Sequence, residues 1–132
     1  MNNTQKLFNL AKNAAKKAYC PYSNFAVGAA ILADNNQFYS GCNVENIAYP
    51  NGTCAETGAI AAMINGEGKK IIEILIYANS KELISPCGAC CQRIAEFADS
   101  DTKVHLADIN GIKKTVLVSN LLPLAFRSID HE

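Results

Sequence analysis

The stretch SPCGACC, Ser85 to Cys91, places three cysteines within five residues, a density that core packing does not require. Thiols three apart suit a metal site or a redox pair, whereas a structural zinc site takes four protein ligands. This cluster cannot readily supply four. Upstream, GTCAETG puts Cys54 and Glu56 at the predicted start of another helix, about thirty residues earlier. Two helix N-termini that both carry thiols can meet, with Cys54 completing what Cys87 and its neighbours begin.

Working outward, apolar periodicity predicts an amphipathic helix over residues 3 to 19, with Lys12, Lys16 and Lys17 on its outer face and Pro21 ending it. FAVGAAILA and QFYSGCNVE, separated by Asp34-Asn35-Asn36, read as a hairpin. CAETGAIAAMING suits a buried helix closed by Gly66. KIIEILIYAN is a β-branched run suited to a central strand. A third helix is predicted for PCGACCQRIAEFA, with Ser85 as N-cap and Pro86 at its first position. KVHLAD and IKKTVLV read as strands around an Asn110-Gly111 turn, and SNLLPLAF as the start of a short terminal helix. Strands alternating with helices indicate an α/β domain whose sheet is covered on both faces.

The 132 residues suit one domain spanning 1–132, with no linker, repeat or low-complexity tract. Twelve basic and twelve acidic residues give zero formal net charge, against a nucleic-acid partner. No segment approaches a membrane span, and the N-terminal stretch has no apolar core of signal-peptide type. The expected compartment is the reducing cytoplasm, where six cysteines need not form three disulfides.

Cys87 and Cys90, three apart on a helix, can point at one ion, with Cys54 as the third thiolate. Position i+3 lies about 300° round from Cys87 and i+4 about 400°, so spacing alone allows Cys90 or Cys91. Three protein ligands leave a position for water, the pattern of a catalytic zinc. Glu56, two residues beyond Cys54, is placed to carry that water's proton. Competing readings exist for each part. Thr53 to Glu56 is also a Thr-x-x-Glu capping box, and the thiols could be core residues or a redox pair. The joint pattern of Cys-x-Glu and Pro-Cys-x-x-Cys favours a zinc deaminase.

These motifs, with PYSNFAVGAA, GCNVENIAYP and the closing LLPLAF in the same order, resemble the zinc-dependent cytidine deaminases nearly end to end. The resemblance implies a three-layer α/β/α sandwich around a five-stranded mixed sheet. It implies hydrolysis of cytidine and deoxycytidine to uridine and deoxyuridine with loss of ammonia, in pyrimidine salvage. The short, three-cysteine branch that the chain resembles forms homotetramers with active sites at subunit boundaries and one Zn²⁺ per subunit. Carried across, the ligands fall on Cys54, Cys87 and Cys90, and the proton shuttle on Glu56. Asn43 and Glu45 match the ribose-binding pair and Phe25 the aromatic beside the pyrimidine. The Ala55 amide suits the pyrimidine carbonyl, Tyr49 the subunit boundary, and Phe126 the ring that reaches a neighbour's site.

Two positions depart from that pattern. Thr57 and Cys91 stand where the branch commonly has arginine. Three thiolates on a divalent zinc carry a net charge of −1, which weakens the metal as a Lewis acid unless something offsets it. Two converging helix N-termini would each contribute about half a positive charge. The main rival is a structural zinc module closed by Cys91, which leaves Glu56, Asn43 and Glu45 without a purpose. Within the enzymes, the rival is deamination of another amino-heterocycle, such as a blasticidin-like nucleoside or a free base.

Overall fold

A computed structural model describes residues 1–127. Five strands form one sheet in the order β2-β1-β3-β4-β5: β1 Val27–Ala33, β2 Phe38–Cys42, β3 Ile71–Ala78, β4 Lys103–Asp108 and β5 Gly111–Leu117. The β3/β4 pair is parallel, and the other neighbouring pairs are antiparallel. The helices are α1 Asn3–Ala15, α2 Ala55–Asn65, α3 Gly88–Phe97 and the single turn α4 Val118–Leu121.

Strand β1 shows why the sheet needs cover on both sides. Ala29, Ile31 and Ala33 face a core shared with Ala59 and Met63 of α2 and Ile94 of α3. Ala30 and Leu32 face the opposite side, against Leu7, Ala11 and Ala15 of α1. A strand buried on both faces reads as an unbroken apolar run, and β1 is such a run. The result is the expected α/β/α sandwich around a mixed sheet.

This topology brings two helix starts together. Strands β2 and β3 each run antiparallel to β1 and are therefore parallel to one another. Helix α2 follows β2, α3 follows β3, and both lie on the same face. Both N-termini consequently sit at the same end of the sheet, outside the carboxyl ends of parallel strands, where ligand crevices form in such folds.

Several predicted boundaries move. Helix α1 stops at Ala15 rather than residue 19, because Tyr19 pairs with the segment after β2: its amide donates to Asn43 O and its carbonyl accepts from Glu45 N. The third helix begins at Gly88 with Cys87 as N-cap, two residues beyond the expected Ser85 cap. The Thr53 capping box does not form. Cys54 is the N-cap of α2, while the backbone of Thr53 exchanges hydrogen bonds with Val44 at 2.8 and 2.9 Å. Glu56 is thereby free of a capping role.

Two glycines let the helices lie directly on the strands. A Cβ at Gly28 would collide with the carbonyl of Ala11, and one at Gly41 with the amide of Ala59. We predict that Gly28→Ala pushes α1 off β1 and lowers stability by about 1–3 kcal/mol, the range for overpacked cores. Urea unfolding of the variant against the parent chain measures it, and an unchanged midpoint contradicts the close approach.

Candidate metal and active site

Cys54 and Cys87 are the N-caps of α2 and α3, both in extended backbone at φ −77°, ψ 161° and φ −68°, ψ 168°. Cys90 follows in the first turn of α3. The three Sγ atoms lie within 4.8 Å of one another. Tetrahedral zinc with Zn–S near 2.3 Å requires sulfur separations of about 3.8 Å, so small rotations of the thiols suffice to close on one ion. Cys54, Cys87 and Cys90 therefore form a site able to hold one metal ion. Cys91 stands apart: its thiol donates to the Pro86 carbonyl at 3.5 Å and does not belong to the cluster. The spacing ambiguity resolves to Cys90, and the closed four-thiolate arrangement does not form.

The thiols occupy different environments. The start of α3, principally the Cys90 amide and also that of Ala89, draws the Cys87 thiol below its ordinary range. Burial pushes the Cys54 and Cys90 thiols up, and for Cys90 the nearby Glu56 carboxylate adds to the rise. Such sulfurs are costly to ionise without a cation, which a metal supplies.

Glu56 occupies the first turn of α2 and is 4% exposed. Burial raises its carboxyl above the usual range, and its own amide, the Cys90 thiol and Arg93 partly oppose the rise. A buried carboxyl whose affinity for a proton is raised is suited to moving protons.

A cavity of about 180 Å³ joins these groups, lined by the three cysteines and Glu56 together with Asn43, Ala55 and Pro86. Asn43 is pinned by loop backbone: Oδ1 accepts from the Val27 amide at 2.9 Å, and Nδ2 donates to the Phe25 carbonyl at 2.8 Å. Glu45 and Tyr49 line a separate cleft of about 330 Å³ with Tyr22 and Ser23. The Glu45 carboxylate accepts from the amides of Tyr22 and Ser23 and from the Ser23 hydroxyl. The Ser23 hydroxyl foremost holds it below the usual carboxylate range. Phe25 is 37% exposed and lines neither cavity. Phe126 is also exposed, and its backbone is clamped beside α3 by the Gln92 side chain at 2.7 and 3.2 Å.

Residues 1–106 match the sequence family described as the cytidine and deoxycytidylate deaminase zinc-binding region. The chain belongs to this family. Among curated relatives, the cytidine deaminase of Sporosarcina psychrophila is 40% identical over 126 residues, covering 96% of this chain and 93% of that protein. The cytidine deaminase of Mycoplasma genitalium is 40% identical over 113 residues, covering 85% and 86%. The crystal structure of cytidine deaminase from Burkholderia pseudomallei superposes with a TM-score of 0.88 at 35% identity, covering 96% of this chain and all of that one. The Mycobacterium tuberculosis cytidine deaminase gives 0.80 at 32% identity, covering 96% and 98%. The chain is thus a hydrolase of the deaminase family with a three-cysteine zinc site.

Two contributors were not singled out from the sequence. Ser23 orders Glu45, an arrangement across 22 positions that local pattern does not reveal. Arg93 donates to Cys90 Sγ at 3.7 Å; its i+3 spacing from Cys90 is a helical-face signal that was available.

Cys90→Ser is expected to lose bound zinc, because a hydroxyl is a much poorer zinc ligand than a thiolate. Cys91→Ser is expected to keep it. Metal analysis of the two purified variants decides, and metal loss confined to Cys91→Ser contradicts the ligand set.

Proposed function

We propose that this chain hydrolyses cytidine and deoxycytidine to uridine and deoxyuridine with release of ammonia. The observation that carries the reading is a buried, non-ligating carboxylate, Glu56, in one cavity with a three-thiol metal site. When bound, zinc lowers the pKa of a coordinated water towards about 7. Glu56 accepts a proton from the attacking water and delivers it to pyrimidine N3 as the water oxygen bonds to C4. It then takes the second proton from the resulting C4 hydroxyl and gives it to the amine, which leaves as ammonia while the C4 carbonyl forms. Its raised carboxyl range suits both directions of transfer.

Asn43 and Glu45 are proposed to bind the ribose. They stand two residues apart after β2, one in the small cavity and the other in the neighbouring cleft, so a base in the first would leave its sugar near both. Glu45 already accepts from backbone amides and a hydroxyl, the chemistry that sugar hydroxyls would offer. The Ala55 amide begins α2, where donors point outward and suit a pyrimidine carbonyl. Phe25 is proposed to flank the pyrimidine once a nucleoside is present.

The proposed working form is a homotetramer of single-domain subunits in the cytoplasm, with Tyr49 and Phe126 at the boundaries and a role in pyrimidine salvage. Ile47, Tyr49 and Phe126 are 80%, 73% and 66% exposed, an apolar display that association would cover. Among the described residues, no helix is long and apolar enough to cross a membrane.

Purified zinc-loaded protein should release ammonia with loss of ultraviolet absorbance from cytidine and deoxycytidine, in preference to cytosine or blasticidin S. Turnover confined to either of the latter two would overturn the assignment. Glu56→Gln should retain zinc and fold yet lose at least about 10²-fold in kcat, as expected for a general acid-base group. Near-normal turnover would remove Glu56 from the mechanism. Sedimentation at assay concentration should show an oligomer, and a fully active monomer contradicts the shared-site arrangement.

A further inference from the structure

Charge at the metal site poses a problem that local residues must solve. Three thiolates and one divalent ion sum to −1, and ionised Glu56 beside them brings a further negative charge into a buried region. Excess negative charge weakens the metal as an electron-pair acceptor. Helix α2, AETGAIAAMIN, contains neither Lys nor Arg. Helix α3, GACCQRIAEF, contains one cation, Arg93. In the loop before α3, Lys81 lines a different cleft, with Lys113 and Lys114.

Cys90 and Arg93 are three apart on α3 and share a face, and Arg93 Nη1 donates to Cys90 Sγ at 3.7 Å. Among the described residues, it is the only cationic side chain that donates to one of the three sulfurs, and no carboxylate within 4.0 Å ties it down. Cys90 is fully buried, so water cannot solvate its sulfur from the opposite side. Thr57, on α2 beside Glu56, has a buried hydroxyl without a partner and brings no charge.

We propose that Arg93 is a positioning residue for the deamination reaction, tuning the metal centre through a charge-assisted hydrogen bond to the Cys90 sulfur. The guanidinium draws electron density from that thiolate, making it a weaker donor and the metal a stronger Lewis acid. This inference rests on the proposed deaminase function for its catalytic consequence. The interaction with the sulfur can be read independently.

Cobalt-substituted protein provides that reading, because sulfur-to-cobalt charge-transfer absorption reports electron density on the thiolates. Arg93→Gln keeps a polar, though shorter, side chain and removes the charge. It is expected to move the band to longer wavelength and to lower kcat of the zinc enzyme about tenfold, the lower end for outer-sphere partners of metal ligands, with little change in KM. Arg93→Lys should restore most of both. A charge-transfer band identical in the parent and Arg93→Gln overturns the proposal, as does a kcat loss without a band shift. The expected shift in a protein that deaminates no nucleoside supports Arg93's action on the sulfur and overturns the proposed function instead.

Discussion

The convergence of two helix N-termini at one end of the sheet is the constraint on which the site depends. It arises from strand direction: β2 and β3 are both antiparallel to the strand between them, so the helices that follow start at the same end. Each N-cap residue is a cysteine, held in extended backbone with its thiol near the other's. Gly41 allows α2 to lie directly on β2, and the packing of Ile94 holds α3 on the same core. A metal joining the thiols therefore also ties α2 to α3 within one layer, coupling metal binding to stability.

The same convergence distributes charge. The start of α3 favours ionised Cys87, while burial disfavours ionised Cys54, Cys90 and Glu56. Helix dipoles, an arginine on a sulfur and a bound cation all act in the same direction, and each relieves negative charge crowded into a small volume. The site is therefore a balance of several moderate effects around a metal. No single counter-charge is built in at the position after Glu56, where Thr57 stands.

Much of this architecture was legible in the sequence where local pattern and tertiary packing agree. The doubly buried β1 reads as a continuous apolar run, and Asn36 takes the positive φ of 63° that its turn requires. Boundaries failed where long-range pairing prevailed. Tyr19 continues a helical pattern yet is captured by the segment after β2, and Thr53, despite its capping-box spacing, is held by Val44. The α3 start was placed two residues early because Ser85-Pro86 is a strong helix-opening signal, whereas the observed cap is Cys87 in extended backbone. At the site, helical spacing could bring Cys90 or Cys91 to the metal, and orientation in the folded chain separated them. The engagement of Asn43 with backbone at Val27 and Phe25 was not visible, since it joins residues 16 and 18 positions apart.

Strand β5 closes one margin of the sheet, and among the described residues no other strand pairs with its outer backbone groups. An open edge of this kind can recruit a strand from another molecule and propagate without limit. Here the margin carries adjacent exposed lysines, Lys113 and Lys114, and its register with β4 shifts near Ala107. A second edge laid alongside would meet like charge and a mismatched ladder. Contact between copies, where it occurs, is then left to side-chain surfaces, which are directional and can close upon themselves into finite assemblies rather than growing as fibres.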